Sequence, residues 1–236
     1  MKFLSKLLMA GGVCVFLSCS TTQPVFIDHS QSGIRNLQIF HPISHMAQGK
    51  KDYLYAPNNL LLQSSRNTLL DVLRDMKSSY PLDREMPSDS GYGQLVLEED
   101  IRNLFDETAQ NSNNLSQVNI PVTISGMLDQ ENQRFGLLST SYGFTHFPNN
   151  SNDHFFKNIG LSVLSLGIYH PLSLRSENYL AVIIVDNLNG EVIYFNSSIK
   201  TDHEPLGKTE MTRQLEKLFD GVFEELQASG PFAWLE

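Results

Sequence analysis

Nine residues, NYLAVIIVD at 178–186, limit the fold more than any other stretch of the chain. The apolar side chains run on without alternating, so a strand built from them is apolar on both faces. A helix layer must cover one face and something else the other. Asn189-Gly190 then supplies a hairpin turn into GEVIYFNSSI. Downstream, Met211, Leu215, Leu218, Phe219, Val222, Phe223 and Leu226 recur at steps of three and four. That spacing predicts an amphipathic helix over 209–227, with Thr209 as its cap and its apolar face as a cover for the sheet.

The remaining patterns fit around this unit. Leu69, Leu70, Val72, Leu73 and Met76 predict a helix over 58–77, capped by Asn58 or Asn59. Leu97, Ile101, Leu104 and Phe105 predict another over 95–109. IRNLQIFH (34–41) reads as a first strand ended by Pro42, VNIPVTISGML (118–128) as an edge or bulged strand because Pro121 lacks an amide donor, and 134–147 as the next strand. Residues 78–93, with two prolines and two glycines, read as a loop. FFKNIGLSVLSLGIYH (155–170) suits a buried strand by its apolar density, while its length also allows a short helix, against which Gly160 and Gly167 count, or a membrane-facing surface. The fold class expected is α/β or α+β: a mixed sheet covered by amphipathic helices, with a C-terminal hairpin and a long terminal helix. One domain over 34–236, carrying a flexible loop at 78–94, accommodates all of it.

The late hairpin LAVIIVDNLNGEVIYFN followed by TEMTRQLEKLFDGVFEEL resembles the small domain of CsgG-like and TolB N-terminal-like envelope proteins. The resemblance covers about 118–228, with Asp186 at the strand end and Gly190 in the turn as its matching residues. It implies an accessory role in envelope assembly or transport and brings no catalytic residues with it.

The N-terminus has a different character. Lys2 and Lys6 precede an apolar run from Leu7 to Leu17, the pattern of a secretory signal peptide over 1–18. The run is shorter than the roughly 20 residues that cross a bilayer. Phe16-Leu17-Ser18-Cys19 resembles the lipobox of bacterial lipoproteins, with Phe16 where Leu is usual. That resemblance implies acylation of Cys19 as the first mature residue, a tether over 19–33, and attachment to the membrane through the acyl chains. Ser20 rather than Asp after the cysteine favours the outer membrane. Ordinary secretion and a retained structural segment are the alternatives. Cys14 falls within the discarded part, so no intramolecular disulfide is expected.

Charge narrows the partners. The chain carries 17 Lys and Arg against 26 Asp and Glu, a formal −9, and without Lys2 and Lys6 this becomes 15 against 26, or −11. With no basic cluster in that background, nucleic acid is excluded as a partner. An envelope protein or a second copy docking at an open sheet edge is the expected partner.

Candidate chemistry is thin. His41 and His45 in HPISH lack the glutamate of a zinc-protease helix, and His146, Asp153 and His154 read as a solvated turn. Asp202-His203-Glu204 with Ser197 and Ser198 would suit a hydrolase only with a serine drawn to His203, and no nucleophile elbow is present. Glu98, Glu99 and Asp100 read as the early part of a helix. Gly91-Tyr92-Gly93 reads as a turn. Phe144, Phe147, Phe155 and Phe156 read as core or as a recognition surface. No catalytic, cofactor or metal residue is therefore expected, and Cys19 as the lipidation site is the one site residue. The reading is a membrane-anchored, noncatalytic accessory or protein-interaction lipoprotein of the bacterial envelope. An envelope hydrolase and a small-ligand or glycan-binding lipoprotein using 142–156 are the alternatives.

Overall fold

The computed structural model describes residues 25–26, 34, 36–49, 55–87, 92–145, 176–201, 206–220 and 222–223. Its strands are β1 (Val25–Phe26), β2 (Leu37–Ile39), β3 (Ile43–Gly49), β4 (Tyr55–Pro57), β5 (Leu82–Glu85), β6 (Phe135–Thr145), β7 (Glu177–Asp186) and β8 (Glu191–Thr201). Its helices are α1 (Asn59–Met76), α2 (Tyr92–Gln110), α3 (Val122–Gln130) and α4 (Lys208–Phe219), with a 3-10 turn at Leu115–Gln117.

The apolar run at 178–186 becomes β7, near the middle of the sheet, and from Leu180 to Val185 every side chain is fully buried. Its neighbours are β6 and β8, both antiparallel. The sheet order is β1-β8-β7-β6-β2-β5, with β3 also on β6 and β4 outside β3. Both β2 and β3 run parallel to β6, so the sheet is mixed.

Burial on both faces is met by two helical layers. On one face Leu69 and Leu73 of α1 and Leu215 and Leu218 of α4 share a core with Leu180, Val182 and Ile184. On the other, Ile101 and Leu104 of α2 and Ile124 and Leu128 of α3 pack with Leu138, Ala181, Ile183 and Val185. This is the expected mixed sheet covered by amphipathic helices, with the β7–β8 hairpin and a terminal helix, in an α+β arrangement. The "something else" over the second face is a second pair of helices.

The hairpin turn depends on two residues. Gly190 sits at φ +71, a region costly to any side chain with a Cβ, and its amide donates to the Asp186 carbonyl at 2.9 Å. The Asp186 carboxylate accepts from Arg134 Nε (2.8 Å), Arg134 Nη2 (2.7 Å), the Leu188 amide (3.0 Å) and Asn189 Nδ2 (3.0 Å). It ties the turn to the start of β6.

Several expectations are corrected. Residues 118–128 do not form a strand: Asn119 makes an isolated bridge to Glu191, and from Val122 the chain is α3. Ile124 and Leu128, one helical turn apart, are fully buried while Val122 is 87% exposed, so the four-residue spacing outweighs the two-residue one. Pro121 stands at the helix start, where its missing amide costs nothing. The first strand, β2, ends at Ile39, short of Pro42, and a second, β3, starts at Ile43 on the same neighbour β6. Between Ile39↔Leu137 and Ile43↔Thr140 the chain takes four steps against three on β6, and the extra residue is absorbed at the break.

The expected loop at 78–94 holds β5, parallel to β2, and the first turn of α2. Gly207, not Thr209, is the N-cap of α4, and no side chain caps it. Val25–Phe26, inside the expected tether, pairs with Phe195 and Tyr194 of β8. Asn58 does cap α1, accepting from the Leu60 and Leu61 amides at 3.1 and 3.2 Å.

Candidate ligand-binding pocket

Strand register brings three rings into one row. His45 on β3 lies opposite Tyr142 on β6, and Tyr142 lies opposite Tyr179 on β7. His45 and Tyr142 stack at 5.1 Å between centroids with 16° between planes, and Tyr142 meets Tyr179 at 5.9 Å and 57°. Directly opposed strand residues are close enough for such pairs to reinforce one another. All three rings are half-buried.

The row walls a pocket of about 390 Å³. Met46, Ala47 and Gly143 complete the strand side, Pro57 of β4 and Leu62 of α1 close over it, and Glu177 at the start of β7 brings a carboxylate. A volume at the lower end of the range for small-molecule sites, a mostly apolar wall and a few polar groups match the general form of such a site.

Burial and neighbouring charge disfavour the protonated imidazole. Burial, followed by the Arg102 guanidinium, pushes His45 below its ordinary value of 6.5; Glu98 pulls the other way and Arg66 adds to the lowering. Arg66 is itself paired with Glu98 at 2.9 Å. His45 Nε2 is enclosed and has no hydrogen-bond partner among the described residues. Burial also raises the Tyr179 phenol, which shares a hydrogen bond with Ser197 that offsets part of the rise.

Behind the row lies a set of buried polar groups. Ser44 Oγ and Ser141 Oγ are 2.7 Å apart, Ser65 Oγ is 3.0 Å from Ser141, and Ser44 donates to Ser65 at 3.4 Å. Nearby on the same strands, Asn178 Nδ2 donates to Gln214 Oε1 (3.0 Å), and Gln214 Nε2 donates to the Ser198 carbonyl (2.8 Å). These contacts join α1 and α4 to the end of the sheet that holds the pocket.

The residues singled out in the sequence are dispersed. His41 and His45 lie on either side of the β2–β3 break, and no group of three or more metal-ligating side chains occurs among the described residues. Ser197 and Ser198 are both buried, on adjacent and therefore opposite-facing positions of β8. Glu98, Glu99 and Asp100 fall inside α2; Glu98 pairs with Arg66 and Asp100 accepts from Thr123 Oγ1 at 2.5 Å.

Cys14, Cys19, Gly91, His146, Phe147, Asp153, His154, Phe155, Phe156, Asp202, His203 and Glu204 lie outside the described residues, as does the 155–170 segment. Phe144 is in β6, opposite Ala47. Tyr142 belongs to the aromatic 142–156 region, whereas the sequence presents Tyr179 only as part of a core strand. The missing signal is register: with Phe135 opposite Asp186 in an antiparallel pair, Tyr142 must face Tyr179.

No family model matches the chain, and no curated protein matches it. Among solved structures, it is similar to the PelC dodecamer from Paraburkholderia phytofirmans at 9% identity and a TM-score of 0.37, covering 85% of this chain and 95% of that one. A single-residue variant of the same dodecamer, in another crystal form, gives 10% identity and a TM-score of 0.35, covering 86% and 94%. At these scores the similarity carries no argument about this chain's fold or function.

Proposed function

We propose that the protein is a noncatalytic accessory lipoprotein of the bacterial envelope whose domain binds a small ring-bearing ligand in the pocket between β3, β6 and β7. The His45–Tyr142–Tyr179 row carries this reading: three flat rings at one register, on rigid strands, form a wall that a planar or cyclic ligand can lie against. Acyl chains on Cys19 hold the domain at the membrane, and two or more chains give stable attachment where one is marginal. The outer membrane is the proposed site, because Ser20 follows the cysteine. The hydrolase alternative has less in its favour, since the Ser197 and Ser198 side chains are both buried and face opposite sides of the sheet.

Two measurements test the proposal. Ligand-observed NMR of the full chain against a panel of cyclic compounds should give hits that Tyr142→Ala and Tyr179→Ala abolish; hits indifferent to both variants would remove the pocket from the proposal. Cys19→Ala should move the protein from the detergent phase to a soluble or unprocessed form. Unchanged partitioning and N-terminal mass would defeat the anchor.

A further inference from the structure

The charge on the pocket wall is lopsided. Of the described residues that line it, Glu177 alone carries a formal charge when His45 is neutral, and Glu177 has no ion pair with any described residue. The two arginines that act on His45 make no ion pair with Glu177. Arg66 is taken up by Glu98 at 2.9 Å, and Arg102 acts on His45 from α2 without lining the pocket. Glu177 is half-buried in a largely apolar wall, and the group that best pairs with its carboxylate there is a cation brought by the ligand. Phenol and imidazole rings favour the same charge, because their faces carry negative electrostatic potential.

We infer that the pocket selects a small organic cation, its ammonium group set against Glu177 and its apolar body against the rings of Tyr142 and Tyr179. This rests on the pocket being a ligand site and adds the ligand's charge class. A fully substituted ammonium suits the wall better than a primary amine. It is weakly hydrated, makes no hydrogen bonds that the apolar side chains would leave unmet, and engages aromatic faces. The neutral His45 is part of the arrangement: a protonated imidazole in the same wall would cancel Glu177.

The test compares two compounds of one shape. The (4-hydroxyphenyl)trimethylammonium ion and 4-tert-butylphenol differ by nitrogen for carbon and hence by one charge. Each is titrated against the detergent-solubilised full chain by calorimetry, with detergent alone as the blank. The cation should bind about tenfold more tightly. Glu177→Gln should remove most of that difference, the remainder coming from the ring faces, leaving the neutral compound unchanged, and Glu177→Asp should restore part of it. Equal binding of both compounds, lost in Tyr142→Ala and untouched by Glu177→Gln, would overturn the charge selection and leave the pocket standing as a site. Binding of neither compound by the wild-type chain would overturn the selection, and with it the pocket reading if the cyclic panel also fails.

Discussion

Along β7 the two ends of a single strand meet different surroundings. Toward the hairpin, Leu180 to Val185 are sealed between two helical layers, and Asp186 closes the end with four hydrogen bonds. Toward its start, Glu177 and Tyr179 reach the pocket while Asn178 is buried against Gln214. The apolar end contributes side chains to both cores, and the polar end buries groups that must satisfy one another. A site at the end of a strand whose other half is locked in the core inherits that strand's rigidity.

This contrast is most directly broken in the core. Ile184→Ala removes a fully buried side chain at the apolar end and should cost about 3–4 kcal/mol in urea unfolding. Tyr179→Ala, at a half-buried position of the same strand, should cost less and instead remove ligand binding. If Tyr179→Ala proved the more destabilising, the two ends would not differ as described.

Asp186→Ala should cost about 2–3 kcal/mol. It strands an arginine that is one-third exposed rather than buried, so the loss falls below that of a fully enclosed pair. Asp186→Asn, which can still accept from the turn amides, should recover part of this. Equal losses for Ala and Asn would place the whole effect in the ion pair and none in the turn.

The same contrast explains what can be read from the sequence. Where burial is apolar and periodic, at 178–186, 58–77 and the first part of 209–227, the pattern predicts the element, because the hydrophobic effect alone dictates which face turns inward; α4 stops at Phe219, where Asp220 leaves the helical region at ψ 127. It fails at 118–128, where Val118, Ile120, Val122 and Ile124 fit a strand but Ile124 and Leu128 are the pair the core uses. It fails again at Leu82–Glu85, where a single buried leucine carries the strand and the register comes from β2. The pocket is illegible for the same reason. His45, Tyr142 and Tyr179 are separated by 97 and 37 positions, and only the strand pairing brings them into line.

A smaller effect is expected in the hydroxyl triangle that braces the polar end. Ser141→Ala removes the hydroxyl within 3.0 Å of both partners and leaves Ser44 and Ser65 with one contact of 3.4 Å. The cost should be about 1 kcal/mol by thermal unfolding, since two buried hydroxyls keep each other as partners. If the polar end holds the pocket in shape, the variant should also weaken ligand binding. Full binding alongside the stability loss would separate the brace from the site.

The smallest effect is the one that reports on charge in the pocket. His45 is held below its ordinary 6.5 by burial first and by Arg102 next, with Arg66 adding to Arg102 and Glu98 opposing. A depressed value means that, as pH falls below about 6.5, the unfolded chain takes up this proton before the folded one. The stability that neutral His45 contributes is therefore complete above about 6.5 and declines as pH falls through the folded-state value. His45→Phe keeps a ring against Tyr142 and removes the titration. The difference in unfolding free energy between wild type and variant should be flat from about pH 7 to 8 and should move against the wild type as pH falls toward about 5. Taking the difference cancels the other histidines, which titrate in both proteins. A difference that stayed level across the whole range would mean that His45 is equally charged in both states. The Glu177 carboxylate would then share its pocket with an imidazolium as soon as pH falls to about 6.5, and the selection for a cationic ligand would weaken there.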